Sequence, residues 1–391
     1  MLRDCALENP AFGELYRIWL DRGNGAAAAH RAKGGKVVGC LGCDVPEEYL
    51  LAGGLLPIRI APDPESSLSA ADEYLEACFD PMVRSQFDRI VRREGEKPWD
   101  CLAVSNSTDV LVRTYLYLRE LRRRSPEVPV PDTAFVDWLF TPSRIFQPYN
   151  EARALDFRRK AEEWAGRPIT DGDVREAVHV LNGQRSAMGR IYALRQAEEP
   201  RIGGTEALVI AGAGFYMDKA KHRELVNDLA DAAASWPVLR GPRLYFSGTE
   251  QYDAALYGYL EQAGAVIVGE DQDCGRRFYD RLTDPESPPE EAVVTRYVRR
   301  IPSPKKASVD RRVETLRCEA LESRADGVVV CMNQFEEAAS WDFPEEKRAL
   351  EQEGIRAAEF CKLPYPAEKD GTIRERMEAF VAELKGGAAN G

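Results

Sequence analysis

The stretch "DCLAVSNSTDVLVRTYLYLREL", Asp100 to Leu121, decides the fold class. Cys101 to Val104 is a short apolar run, and Ser105-Asn106-Ser107-Thr108-Asp109 is small and polar. From Val110 onward the apolar residues recur at helical spacing. An apolar run too short for a helix, then a polar turn, then an amphipathic segment reads as a buried strand feeding a helix. A buried strand that delivers hydroxyls and a carboxylate to one turn marks that turn for inspection.

The same pattern repeats outward from it. Apolar runs at 36–40, 101–105, 133–138, 206–212, 243–248, 265–271 and 327–332 read as buried strands, with helical stretches such as "EQYDAALYGYLEQAG" between them. Strand–helix alternation implies parallel sheets covered on both faces, an α/β architecture of Rossmann or flavodoxin type. A chain of 391 residues is long for one core. Residues 157–199 carry helical patterns without a strand, and "EEPRIGG" (198–204) then breaks the chain. The expected division is a helical N-terminal segment (1–34), a first α/β domain with long connecting helices (35–200) and a second α/β domain (201–391). A substrate cleft is expected between the two domains.

Composition narrows the partners. The formal net charge of -12 argues against nucleic acid, whose phosphates need a basic face. No apolar run of about 18 residues is present, so no membrane span is expected. The N-terminus lacks a signal-peptide h-region, and nine cysteines, an odd number, suit a reducing compartment. A cytoplasmic setting is expected. With three histidines in the chain, histidine acid–base chemistry is a poor starting point.

In open parallel sheets the ligand sits beyond the carboxyl ends of the strands. The loop after the first strand holds Cys40 and Cys43 as C-x-x-C, followed by Pro46, Glu47 and Glu48 at a helix start. That spacing fits half a metal site or a redox pair, and equally two small residues packed at a strand end. Cys78 precedes an amphipathic helix beside Pro81. "GEDQDCGRRF" (269–278) sets Glu270, Asp271, Asp273 and Cys274 before Arg276 and Arg277, either as site acids or as acids neutralised by the arginines. Ser107 and Thr108 can donate hydrogen bonds to a carbonyl or phosphate oxygen near a helix N-terminus. "GAGFYMD" (212–218) is glycine-rich without dinucleotide spacing and reads as a close turn. "RYVRRIPSPKK" (296–306) gathers Arg296, Arg299, Arg300, Lys305 and Lys306, a solvated run or one that meets cofactor phosphates.

Taken in order, these segments resemble the 2-hydroxyacyl-CoA dehydratase / benzoyl-CoA reductase family. "VPEEYLLAGGLLPIRI" (45–60) is similar to the family's Val-Pro-x-Glu … Ala-Ala-Gly … Pro pattern. "ITDGDVREAVHVLNGQR" (169–185) resembles its long helix with a recurring asparagine and arginine. The segment 247–278 resembles the strand–helix–strand ending in Gly-Glu-Asp and Gly-x-Arg, and 325–344 and 372–380 resemble the closing segments. The resemblance implies a subunit paired with a related one, acting on an acyl-CoA thioester. It implies a [4Fe–4S] cluster on three cysteines in the cleft and an ATP-dependent iron–sulfur activator. The implied reaction is radical dehydration of a 2-hydroxyacyl-CoA, or alternatively reduction of an aromatic, benzoyl-type acyl-CoA. Glu48 fills the glutamate position of the family's Pro-x-Glu and is expected as the proton-handling carboxylate; from their strand-end loops, Glu270, Asp271, Ser107 and Thr108 are expected beside the substrate.

The chain departs from the pattern at the cluster ligands. Cys78 fills the first position. Thr108 stands in the second, a Ser-Cys-Asp in the family, and Glu336 stands in the third, ahead of Asp342-Phe343-Pro344. Threonine and glutamate are hard oxygen donors and poor substitutes for thiolates on such a cluster. Three arrangements follow: a cluster carried mainly by the partner, a cluster here on Cys40, Cys43 and Cys78, or a cluster-less acyl-CoA-binding or structural subunit.

Overall fold

The computed structural model describes residues 2–92, 98–303 and 306–388; Lys305 lies outside them. Among the described residues eight strands form two four-stranded, wholly parallel sheets. The first contains β1 (Val37–Leu41), β2 (Leu56–Arg59), β3 (Cys101–Ser105) and β4 (Asp132–Val136) in the order β2-β1-β3-β4. The second contains β5 (Arg243–Gly248), β6 (Val266–Glu270), β7 (Gly327–Asn333) and β8 (Arg356–Leu363) in the order β6-β5-β7-β8. The α/β expectation with two parallel sheets is met. No helix among the described residues is long and apolar enough to cross a membrane.

Each sheet reverses its strand order once, between β1 and β3 and between β5 and β7. At such a reversal the two following loops diverge to opposite faces and leave a crevice at the strand ends. In the first sheet those loops begin at Gly42 and at Asn106, the turn of the opening stretch.

One strand expectation is corrected. "EALVIAG" lies inside a helix, Gly204–Ala213, every residue of which is buried. A helix covered on all sides shows no amphipathic period, so its apolar run cannot be told from a buried strand. Its start is fixed by carboxylates. Glu206 accepts the Gly203 N–H at 2.9 Å, and Glu261 accepts the Gly204 N–H at 2.5 Å. "GAGFYMD" is accordingly the end of that helix and the turn beyond it, not a strand-end loop.

The two sheets do not have separate cores. The helix Pro289–Val298 follows the second sheet's β6 in the chain, yet Val293, Val294, Tyr297 and Val298 pack into the cluster that covers the first sheet's outer face. The largest apolar cluster runs from Val37 and Leu41 through Ile202–Ala213 to Leu244 and Phe246. The N-terminal helix Pro10–Asp21 packs on this central layer, and a Cβ at Gly212 would stand 2.6 Å from Trp19. The strand ends of the first sheet therefore face residues from the second half across a packed junction.

Candidate functional site

The crevice between β1 and β3 is laced by hydroxyls. Ser107 Oγ accepts the Cys43 N–H at 3.1 Å, and Ser105 Oγ accepts the Asp44 N–H at 3.3 Å. The two hydroxyls lie 2.7 Å apart. Gly42 adopts φ +83°, and a Cβ there would fall 2.4 Å from Ser105 Oγ, so the turn needs glycine. Ser107 is thus a brace between two loops. Thr108 caps the helix Asp109–Arg124 through Oγ1, which accepts the Leu111 N–H at 3.3 Å. Thr108→Ala is expected to cost ~1 kcal/mol, read as a lowered urea midpoint.

Opposite these loops stand Arg277, expected to neutralise the acids after β6, and Arg300, from the basic run 296–306. Arg300 pairs with Asp44, and Arg277 lies 3.5 Å from the same Asp44 oxygen and 2.6 Å from Asp273. Both reach Cys43 Sγ, Arg277 at 2.8 Å and Arg300 at 3.2 Å. Burial alone would raise the Asp44 carboxyl, but the charges of Arg300 and Arg277 outweigh it and hold the group below the usual range. For Cys43 the balance reverses. Burial, then the charges of Asp273 and Asp44, push the thiol up to about 12 despite the guanidiniums. The short Arg277 contact would favour a thiolate, but the two carboxylates already neutralise the two arginines, so the thiol stays protonated. Trp138 Nε1 donates to the Asp44 carbonyl at 2.7 Å and its ring stacks on Tyr297, closing this side.

Glu48 is fully buried behind this layer. Its Oε1 accepts Arg185 Nη2 at 2.8 Å and Thr283 Oγ1 at 3.1 Å, and its Oε2 accepts the Tyr297 hydroxyl at 3.1 Å. Burial raises its proton affinity, and the charge and hydrogen bond of Arg185 reverse that, leaving the carboxyl below its ordinary range. Asn182 holds Thr283 at both backbone groups, 2.7 Å to its carbonyl and 2.9 Å from its N–H. The asparagine and arginine noted in the long helix are these two residues, so their pairing was visible and their partner at residue 283 was not.

The acids after β6 separate into two kinds. Glu270 pairs with Arg195, both buried, and accepts the Arg276 N–H at 3.2 Å. A Cβ at Gly275 would meet Glu270 Cγ at 2.4 Å, the steric reason for glycine in Gly-x-Arg. Asp271 accepts the Ser247 hydroxyl at 2.9 Å through Oδ2, while its buried Oδ1 has no hydrogen-bond partner. Burial above all pushes the Asp271 carboxyl up to about 7. The arginine-neutralised reading therefore describes Glu270 and Asp273, and Asp271 stands apart.

The cysteines do not assemble. Among the described residues no group of three or more His, Cys, Asp or Glu side chains is arranged to hold a metal ion, and Cys40, Cys43 and Cys78 are no exception. Cys40 is buried within β1 with its thiol pushed up by burial and by Glu47. Cys43 is engaged by two arginines, and Cys78 is exposed. Asp80, two residues on from Cys78, lies 3.4 Å from Asn333 at the end of β7, so the loops bearing positions 78 and 336 are neighbours. With an exposed thiol, a helix-capping threonine and a half-buried glutamate at the three positions that the resemblance implies, the donors do not fit a three-thiolate [4Fe–4S] site.

With this geometry in hand, comparison with known proteins is specific. A family model described as 2-hydroxyglutaryl-CoA dehydratase, D-component, matches residues 43–384. The (R)-phenyllactyl-CoA dehydratase beta subunit of Clostridium sporogenes is 23% identical over 82% of this chain and 85% of its own length. The (R)-2-hydroxyglutaryl-CoA dehydratase subunit beta of Acidaminococcus fermentans is 22% identical over 91% and 94%. A benzoyl-CoA reductase subunit of Thauera aromatica is 26% identical over 33% and 35%. The chain belongs to the 2-hydroxyglutaryl-CoA dehydratase D-component family.

Proposed function

We propose that the chain is one subunit of a heteromeric dehydratase that removes water from a 2-hydroxyacyl-CoA thioester, with the iron–sulfur chemistry residing on a related partner subunit. The observation that carries this reading is the donor set at the family's three ligand positions. Cys78 is exposed, Thr108 is committed to capping a helix, and Glu336 is half-buried with its charge facing Arg312. Relatives named as beta subunits of dehydratases align over most of their length, which supports pairing with a second subunit. An ATP-dependent iron–sulfur activator belongs to the same proposal, as does a cytoplasmic setting, which nine free cysteines support. Dehydration is preferred to benzoyl-type ring reduction because the reductase relative aligns over only 33% of the chain.

Within this reading Ser107 and Thr108 shape the crevice that receives the acyl end, and Asp271 is the carboxyl of the set able to carry a proton near neutral pH. Glu270 is held by Arg195 and acts by positioning the loop that bears Asp271 and Arg277. Glu48 contributes a fixed negative charge, since Arg185, Thr283 and Tyr297 occupy its oxygens.

The test is an iron and acid-labile sulfide assay on anoxically purified protein, alone and with a second, co-expressed member of the same family. The chain alone is expected to hold no stoichiometric iron, and the pair to hold iron and, when supplied with an activator, ATP and a low-potential reductant, to turn over 2-hydroxyacyl-CoA. Stoichiometric iron on the isolated chain that disappears in Cys78→Ala would overturn the assignment.

A further inference from the structure

The crevice mouth carries positive charge that its neighbours do not balance. Arg277 and Arg300 share the carboxylates of Asp44 and Asp273. Three more guanidiniums lie around them. Arg281 is exposed, with Nη1 3.3 Å from the Arg299 carbonyl oxygen, and Arg299 is exposed at the end of the helix Pro289–Val298. Arg311 is half-buried in the first turn of the helix Val309–Glu322, close enough to Arg277 and Arg299 for their charges to add to burial in lowering its proton affinity. Among the described residues no carboxylate pairs with Arg281, Arg299 or Arg311.

The placement follows from the contacts behind it. Arg277 Nε donates to the Ile301 carbonyl at 2.9 Å, and Arg300 Nη2 to the Cys43 carbonyl at 3.2 Å. These bonds fix the segment 299–301 against the loop after β1, at the edge of the crevice. The Ser308 hydroxyl makes no cap bond to the helix Val309–Glu322, so the first amides of that helix add their positive potential beside Arg311. In a chain of net charge -12, three uncompensated guanidiniums on one rim are not an average surface. One carboxylate would engage one guanidinium; three spaced ones match a ligand with several separated anionic groups.

We propose that Arg281, Arg299 and Arg311 form the receptor for the phosphates at the nucleotide end of the CoA thioester, with the acyl end entering the crevice beside Asp44. This inference rests on the acyl-CoA reading and adds to it the residues that hold the substrate's handle. Long-range attraction to the rim would also make capture depend on ionic strength.

The test measures binding of CoA, pantetheine and inorganic pyrophosphate to the full-length chain, with any subunit that co-purifies, at low and moderate salt. Arg299→Gln and Arg311→Gln are each expected to weaken CoA binding roughly tenfold, by loss of a charge-assisted bond. Pantetheine binding is expected to stay unchanged, and the salt dependence for CoA to shrink. Both side chains reach the surface, so circular dichroism should match the wild type. Undiminished CoA binding in both variants overturns the cationic receptor while leaving the thioester reading intact. Failure of the wild type to bind CoA or any acyl-CoA overturns both. Pyrophosphate bound as tightly as CoA through the same arginines overturns the nucleotide assignment in favour of a general anion site.

Discussion

Glu48→Gln is expected to destabilise the chain by about 3–5 kcal/mol, measured as the shift in urea unfolding at pH 7. The carboxylate is fully buried and is the anion opposite Arg185, itself nearly without solvent contact. Glutamine keeps the shape, and its single amide oxygen can still accept the Thr283 hydroxyl, while at the Oε2 position its NH2 can only donate, toward the Tyr297 oxygen. It cannot neutralise Arg185, and Arg296, whose charge also bears on Glu48, then adds to the surplus. Removing one partner of a buried ion pair leaves the other as an unpaired buried charge, a larger loss than the pair's net contribution. The double variant Glu48→Gln/Arg185→Met should therefore cost less than the sum of the single changes, and possession of a soluble double variant makes turnover measurable. Because the native carboxyl lies below its ordinary range, its stabilising contribution is complete above the unfolded-state value and fades as pH falls. A single variant as stable as the wild type would show that Arg185 is neutralised elsewhere, and the account of Glu48 as a fixed charge would fail.

The same pair shows what a sequence can and cannot give. Pro46-Glu47-Glu48 was legible as a helix start, and the asparagine and arginine of the long helix as a recurring pair. Their meeting is a contact across 137 residues, 48 to 185, and a third contributor arrives from residue 283. Long-range convergence leaves no local pattern. The central strands were legible because strands buried on both faces read as continuous apolar runs. Two edge strands were not. β2 is short and holds Pro57, which an edge tolerates, and β8 mixes Arg356, Glu359 and Lys362 with apolar residues because one side is open. The miscast helix Gly204–Ala213 failed for the opposite reason, being buried on every face.

At the site, residue types were legible and their commitments were not. Thr108 is a hydroxyl in a strand-end turn by sequence and a helix cap by geometry. Arg277 looked like a charge neutraliser and is one, for Asp273, but the same Nη1 also reaches across to Cys43, and its Nη2 lies beside Asp44. Cys40 and Cys43 keep metal-like spacing while the strand holds one inside the core and the turn sends the other toward two arginines. Spacing records sequence distance; ligand sets need directions.

Asp271→Asn is expected to stabilise the chain at pH 8 and to gain about 2–3 kcal/mol more there than at pH 5. Burial pushes the Asp271 carboxyl up to about 7; the Ser247 hydroxyl and the Gly248 N–H oppose it, while Asp273 and Glu270 add to it. Glu346 is pushed up to about 7 as well, by burial and by Asp271, and its Oε2 also lacks a hydrogen-bond partner. Arg312, on which the charges of both carboxyls act, pairs with Asp342. A carboxyl whose folded pKa exceeds its unfolded value binds its proton more tightly when folded. Its contribution is full below the unfolded value near 4 and is lost as pH rises toward 7, beyond which the fold carries a buried anion. Asparagine is neutral throughout, so its advantage grows across that window. It can accept the Ser247 hydroxyl as the aspartate does and offer its amide where Oδ1 now has no partner. His222, pushed down to about 4 by burial, makes stability rise between pH 4 and 6.5, but it is common to both proteins and cancels in the comparison. Urea midpoints of wild type and variant at pH 5 and pH 8 decide the matter. Equal differences at the two pH values, or an asparagine variant less stable at pH 8, would mean that Asp271 is already ionised in the fold. It would then be unavailable as the proton-carrying group beside the crevice.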